Sequence, residues 1–409
     1  MPSPENTPLP LPFPDAPAPP AFTSVEEARA AFVRYERPTP PRWRTALLHL
    51  LLFIVTLVTA TLAGLELTRG SINFLPIEIF LLPTEQMWPE LRRGLWFSLP
   101  FLGVLTVHEF GHYFTARYNQ IRVTLPYYIP FILGIGTFGA VIRIKDRIFS
   151  RREFFDVGLA GPLAGFLVAV PLLIYGFTHL PSLDYLFEIH PEYRPYGANY
   201  AQYVYQGSQG FTLAKPLLYQ GLEYLFADPA LIPHPNELMH YPVLLAGILA
   251  LFFTALNLLP IGQLDGGHIL YGLLGFRRFN RLSGVLFVVF IFYAGLGLFT
   301  LRTSSETWLY WGLPYFAYLF LVFQKALPTP RRAILLSLGV WAAQLAVTVA
   351  FPGAMGNPGW LIFGLMLGRL TGIYHPPAPD ESPLSVGRKV LGWLMVVIFV
   401  LCFTPSPFQ

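Results

Sequence analysis

Long apolar runs recur from one end of this 409-residue chain to the other, and several approach or exceed the roughly 18 residues that cross a hydrocarbon core about 30 Å thick. Nothing else in the sequence restricts the fold as strongly. Lipid offers no partner for a backbone N–H or C=O, so a segment at that depth must be a helix or part of a closed barrel. The short alternating strands of an outer-membrane barrel are not the pattern here. Charged residues make up 12% of the chain against 54% hydrophobic ones, and the mean hydropathy is +0.51. A soluble domain carries about twice that charge fraction. The expectation is an all-α polytopic membrane protein with about eight to nine transmembrane helices. Their expected positions are about 46–66, 94–117, 155–178, 241–260, 282–300, 306–324, 333–350, 358–373 and 389–404.

Arginine and lysine in the short connections set the orientation. Arg34, Arg37, Arg42 and Arg44 precede the first span, and Arg143, Lys145, Arg147, Arg151 and Arg152 follow two crossings later. Arg277, Arg278 and Arg281, then Lys325, Arg331 and Arg332, then Arg388 and Lys389 fall on the same side under alternation. The other side receives Arg69, Arg92, Arg93 and Arg302, together with the polar stretch 179–240. The positive-inside rule therefore puts the N-terminus in the cytoplasm. The same asymmetry accounts for a net charge of +4 and a pI near 9.0. No basic stripe interleaved with aromatics points to nucleic acid.

Residues 1–45 read as a Pro-rich disordered leader followed by a short surface helix, for which Ser24 and Glu27 form a capping box. The leader lacks the charged and apolar regions of a secretory signal and the Ser/Arg-rich character of a transit peptide, which favours a bacterial inner membrane. Residues 46–93 hold the first span and its loop, 94–300 a core with an extracytoplasmic insertion at 179–240, and 301–409 the C-terminal spans. His179, His190, His234 and His240 are scattered through the insertion without metal-ligand spacing and read as surface or interfacial residues. The single cysteine, Cys402, excludes a disulfide framework and a Cys-based metal site.

The segment "TVHEFGHYFTARY" places two imidazoles and a carboxylate inside the second apolar run. Ionisable groups at membrane depth are costly and mark function. His108 and His112, four residues apart, project from one helix face, a spacing that lets both bind one zinc ion with Glu109 beside them as a general base. A catalytic zinc site needs a third protein ligand. Asp265, in "NLLPIGQLDGGH", is the leading candidate, because it lies at the cytoplasmic end of its span and His108 lies about 14 residues, or roughly 21 Å, into its own. His268 ranks second, since a carboxylate fits the two-His-plus-acid pattern better. By itself an Asp before Gly-Gly is an ordinary turn residue. Pro260 and the pair Gly266 and Gly267 interrupt the helix and bring irregular backbone near the metal.

Together these motifs resemble the site-2 protease family, intramembrane zinc metalloproteases. "HEFGH" at 108–112 is similar to the family's H-E-x-x-H, which implies His108 and His112 as zinc ligands and Glu109 as the catalytic residue. "NLLPIGQLDGG" resembles the second motif and implies Asp265 as third ligand, with Asn257 and Pro260 shaping the site. "GTFGAVI", 136–142, resembles the family's glycine-rich, membrane-dipping β segment, and "GLAGPLAG", 158–165, its small-residue motif. The resemblance covers about 94–300. No PDZ-like domain separates the core helices, and the spans beyond 300 lie outside the shared core, resembling extended relatives in bacteria and chloroplasts.

The resemblance implies hydrolysis of a peptide bond in a transmembrane protein substrate within the lipid bilayer, with one zinc ion. A short re-entrant β segment near the active site would present the unwound substrate. Gly136, Thr137, Phe138 and Gly139 on that edge, with Asn257, are the candidate substrate-binding residues. A membrane zinc hydrolase of another type is the first alternative and a metal-binding transporter the second. The transporter would need polar groups along a path, and outside the cluster the spans hold almost none.

Overall fold

The computed structural model describes residues 42–70, 79, 81, 83–205 and 212–407, and the expected capping box at Ser24 and Glu27 lies outside these. The described residues divide into two compact units, one within Pro40–Phe287 and Ile373–Gln409, the other Val288–Gly372. Among the described residues, four helices are long and apolar enough to cross a membrane, Trp43–Thr68, Arg151–Thr178, Phe276–Gly295 and Pro330–Ala350. Pro242–Asn257 and Trp360–Thr371 are shorter apolar helices. The molecule is thus a mostly helical membrane protein with one small sheet.

In the larger unit, α1 (Arg42–Thr68) and α2 (Thr84–Tyr118) precede a two-stranded antiparallel hairpin, β1 (Tyr127–Pro130) and β2 (Thr137–Val141). Then come α3 (Arg151–Thr178), the insertion with α4 (Leu183–Ile189), α5 (Tyr200–Val204) and α6 (Leu217–Phe226), and α7 (Pro242–Asn257). Next are α8 (Asp265–Leu274) and α9 (Phe276–Gly295), whose residues from Val288 belong to the second unit. That second unit continues through α10 (Ser305–Gln324), α11 (Pro330–Ala350) and α12 (Trp360–Met366). Finally α13 (Val386–Cys402) returns to the larger unit.

Apolar packing in the larger unit centres on α2, α3 and α7. Phe97 and Phe101 of α2, Phe155 and Leu173 of α3, and Leu244, Leu245, Ile248 and Leu251 of α7 are buried in one cluster. Met395 and Ile398 of α13 join them. Elsewhere on the same helices large apolar side chains face outward, among them Leu47, Leu51, Ile54 and Val58 of α1 and Val390, Trp393, Val397 and Val400 of α13. A helix in water would present polar groups there, so these faces are suited to lipid tails.

Several boundaries differ from the sequence expectation for local reasons. The third span begins at Arg151, four residues early, because Ser150 and Glu153 form a reciprocal capping box. The second helix begins at Thr84 and carries Pro89 and Pro100 in its interior, each removing one N–H from the helical ladder. The fourth span stops at Asn257, and a turn carrying Pro260 and Gly262 (φ 62°) separates it from α8. The expected span 358–373 is a short α-helix that passes into a π-turn at Leu367–Thr371. At the start of α13, Arg388 grips Asp156 of α3 through two bonds, Nε to Oδ1 at 2.7 Å and Nη2 to Oδ2 at 2.9 Å. This forked geometry fixes the C-terminal helix against the core.

The histidines of the insertion do not behave as a uniform surface set. His179 is exposed, but His240 is only 3% accessible and its ring meets that of His190. The expectation of four surface or interfacial histidines fails for His240, because its neighbours are contributed by residues distant in sequence.

Candidate metal centre

The second half of α2 carries His108, Glu109 and His112, all buried, with accessibilities of 5, 7 and 7%. Two imidazoles one helical turn apart do not by themselves converge; their orientation comes from neighbouring elements. His112 Nδ1 lies 2.7 Å from the Val157 carbonyl of α3. A carbonyl only accepts, so Nδ1 carries the proton and the neutral ring turns its bare Nε2 inward. His108 Nε2 stands 3.1 Å from that atom.

Asp265 is the first residue of α8, where the helix terminus favours a carboxylate. The preceding turn is pinned by the Gly262 N–H donating to Ser283 Oγ at 2.9 Å, while that hydroxyl donates to the Ile373 carbonyl at 2.6 Å. Asp265 Oδ2 then reaches His112 Nε2 at 3.2 Å and His108 Nε2 at 3.5 Å. Bonds of about 2.0–2.2 Å to a tetrahedral ion set its ligand atoms about 3.3–3.5 Å apart. The three edges here are 3.1, 3.2 and 3.5 Å, so two imidazole nitrogens and an oxygen form one face of such a tetrahedron. The donor set fits a divalent transition ion.

Glu109 Oε1 is 4.0 Å from His108 Nε2, outside that triangle but beside it. The backbone N–H of Ile142, just past β2, donates to its carboxylate. Asn257, the last residue of α7, places Nδ2 3.3 Å from His108 Nε2. His268, the second-ranked third ligand, turns away: its Nδ1 lies 2.8 Å from His375 Nε2 and its ring stacks on Phe154.

The four expected substrate-contacting residues of the β segment lie on β2 or just before it. Thr137 pairs with Pro130 across the hairpin, and the other edge of β2 carries no strand among the described residues. Gly136 is anchored to α1, its carbonyl accepting from Thr59 Oγ1 at 2.7 Å. Thr137 Oγ1 accepts from the Gly139 N–H and donates to the Ile129 carbonyl, while the Phe138 ring is exposed. Tyr128 of β1 meets Thr106 of α2 at 2.7 Å, two residues before His108. The hairpin is therefore fastened to the helix that carries the imidazoles.

One glycine of the small-residue motif at 158–165 touches the centre itself. A β-carbon at Gly161 would stand 2.1 Å from His112 Nε2. The helices have no slack to offer, since a β-carbon at Gly111 would meet the Ala160 carbonyl at 2.5 Å. Gly161→Ala is expected to cost about 1–3 kcal/mol as overpacking and to displace the ring. A lowered thermal midpoint together with reduced bound metal would be the result. A variant with wild-type metal content would show that the ring has another way out.

A bundle of apolar helices closing two histidines and an acid around one point defines a class, that of helical membrane proteins with a buried metal-type centre. Residues 96–299 match the family model for Peptidase family M50, and the chain belongs to that family, the site-2 protease family. It is 30% identical over 232 residues to a probable zinc metalloprotease EGY2, chloroplastic, of Oryza sativa subsp. indica, covering 57% of this chain and 37% of that one. Over 250 residues it is 28% identical to a probable zinc metalloprotease EGY1, chloroplastic, of Arabidopsis thaliana, covering 58% and 41%. It is also 27% identical over 220 residues to a probable zinc metalloprotease EGY3, chloroplastic, of Oryza sativa subsp. indica, covering 52% and 34%. The matched region spans about two fifths of the first two relatives' own length and a third of the last. No solved structure matches the chain.

Proposed function

We propose that this chain is an intramembrane zinc metalloprotease that hydrolyses a peptide bond within or near a transmembrane segment of another membrane protein. His108, His112 and Asp265 hold the ion and Glu109 is the catalytic base. The observation that carries this reading is the triangle of donor atoms assembled from α2 and α8, with a buried carboxylate alongside. Membership of Peptidase family M50 and the zinc named for its relatives support it.

Bound zinc supplies Lewis acidity for a peptide carbonyl and for water. Glu109 accepts a proton from the attacking water at Oε1 and passes it to the leaving nitrogen. His112 keeps its bare nitrogen directed inward because Val157 holds the opposite ring proton. A transmembrane helix hides its amides in its own hydrogen bonds, so the substrate must unwind first. The free edge of β2 accepts it as an added strand, with Gly136, Thr137, Phe138 and Gly139 in contact and Asn257 orienting it. Ile142 directly follows that strand and its N–H donates to Glu109, so a docked peptide is delivered to the base.

The chain crosses the lipid bilayer about eight to nine times, with α2, α7, α10, α12 and α13 adding to the four long apolar helices. The N-terminus faces the cytoplasm of a bacterium, since Arg143, Lys145, Arg147, Arg151 and Arg152 fall on that side. Chelation tests the metal. Several kcal/mol of transition-state stabilisation corresponds to a fall of at least about 100-fold in cleavage of a model transmembrane peptide by purified full-length protein. Added zinc should restore it. Cleavage indifferent to a strong chelator would remove the metal from the mechanism.

A further inference from the structure

We propose a second divalent-metal site, of the zinc class, formed by His190, Glu237 and His240 at the opposite end of α7 from the first. His190 Nε2 lies 3.1 Å from His240 Nε2, and Glu237 Oε2 lies 3.2 Å from the latter and 3.9 Å from the former. Two imidazole nitrogens and a carboxylate oxygen thus converge again, two edges lying close to the about 3.3–3.5 Å of a tetrahedral ion and the third somewhat wider. The cluster stands just before α7, whereas Asn257 at its other end touches His108. Sixteen helical residues separate the two by about 24 Å.

Both rings are oriented from behind. His240 Nδ1 lies 2.6 Å from the Thr68 carbonyl at the end of α1, so it is the donor there and Nε2 is left bare. His190 Nδ1 lies 2.9 Å from Glu192 Oε1. A carboxylate accepts, so the ring donates from Nδ1 and its Nε2 is left bare. The two Nε2 lone pairs therefore face each other. Carboxylate- or carbonyl-backed imidazoles of this kind are the usual outer shell of metal ligands.

Glu237 supplies the independent observation. Its side chain is 1% exposed, Tyr205 donates to Oε1, and Oε2 is buried with no hydrogen-bond partner. A buried carboxylate oxygen left bare is costly, and it points at the two nitrogens. An ion at the centre satisfies all three. It would also clip together two segments far apart in the chain, the one after α4 and the one before α7, the latter already bonded to the end of α1. Binding there would therefore couple to folding of the insertion.

The test is zinc content, by mass spectrometry, of the full-length protein in detergent after zinc loading and removal of free ion. Two zinc ions per chain are expected for the wild type, one for Asp265→Ala, one for His190→Gln combined with Glu237→Gln, and none when all three are changed. His190 is a quarter exposed and Glu237→Gln keeps an acceptor for Tyr205, which limits damage to the fold. One zinc in the wild type, lost in Asp265→Ala, overturns the second site and means that a proton bridges the rings. One zinc that survives Asp265→Ala and is lost in the double variant supports it while sinking the first reading. Should the double variant fail to fold, cobalt-loaded Asp265→Ala decides: a visible ligand-field band supports the site and its absence overturns it.

Discussion

Glu109→Gln is expected to lower kcat/KM for a transmembrane peptide by roughly 10²–10⁴-fold, the usual contribution of a positioned base, with bound zinc unchanged. The amide is isosteric with the carboxylate and leaves His108, His112 and Asp265 untouched. It retains an oxygen for the Ile142 N–H. What it lacks is a site for the proton of the attacking water. A variant that cleaves at the wild-type rate would dismiss Glu109 as the base. One that loses zinc as well would mean that its role is to hold the ligands.

Asp265→Ala is expected to act on the metal itself. Outer-shell partners of metal ligands alone contribute about 10–100-fold to affinity, so removal of a direct ligand should exceed the upper end of that range. In a titration with a competing chelator, zinc at this centre should leave the variant at concentrations at least about 100-fold lower than in the wild type, and cleavage should disappear with it. The loss leaves two imidazole nitrogens 3.1 Å apart with no ligating carboxylate to balance an ion. His268 offers no replacement, since its ring is engaged with His375. Wild-type retention of zinc would send the search for the third ligand elsewhere.

The first centre was legible because its chemistry is encoded at short range. The spacing of His108 and His112 is one helical turn, and Asp265 sits beside glycines in a break that apolar periodicity makes conspicuous. The structure brings all three together. Gly161 was legible only in part: a small residue announces a close helix, but not that the close object is an imidazole ring. The burial of His240 against His190 was not legible because 50 positions separate them, and the one local hint was Glu237 three residues before His240. Convergence of that kind depends on how the insertion folds over the end of α1, which no period in the sequence reports. Boundaries shifted for a related reason, since the early start of α3 rests on a four-residue cap rather than on hydropathy.

The three donors of the first centre come from helices on either side of α3 and the whole insertion. A growing chain inserts α2 with both imidazoles long before the ribosome reaches Asp265. At about 5–20 residues per second, the interval is roughly 8–30 s. Throughout that time the nascent protein shares its bilayer with every other polypeptide being made nearby, yet it holds an incomplete set of ligands. On the proposed ligand set, late arrival of that single carboxylate leaves the centre incomplete until α8 has been made.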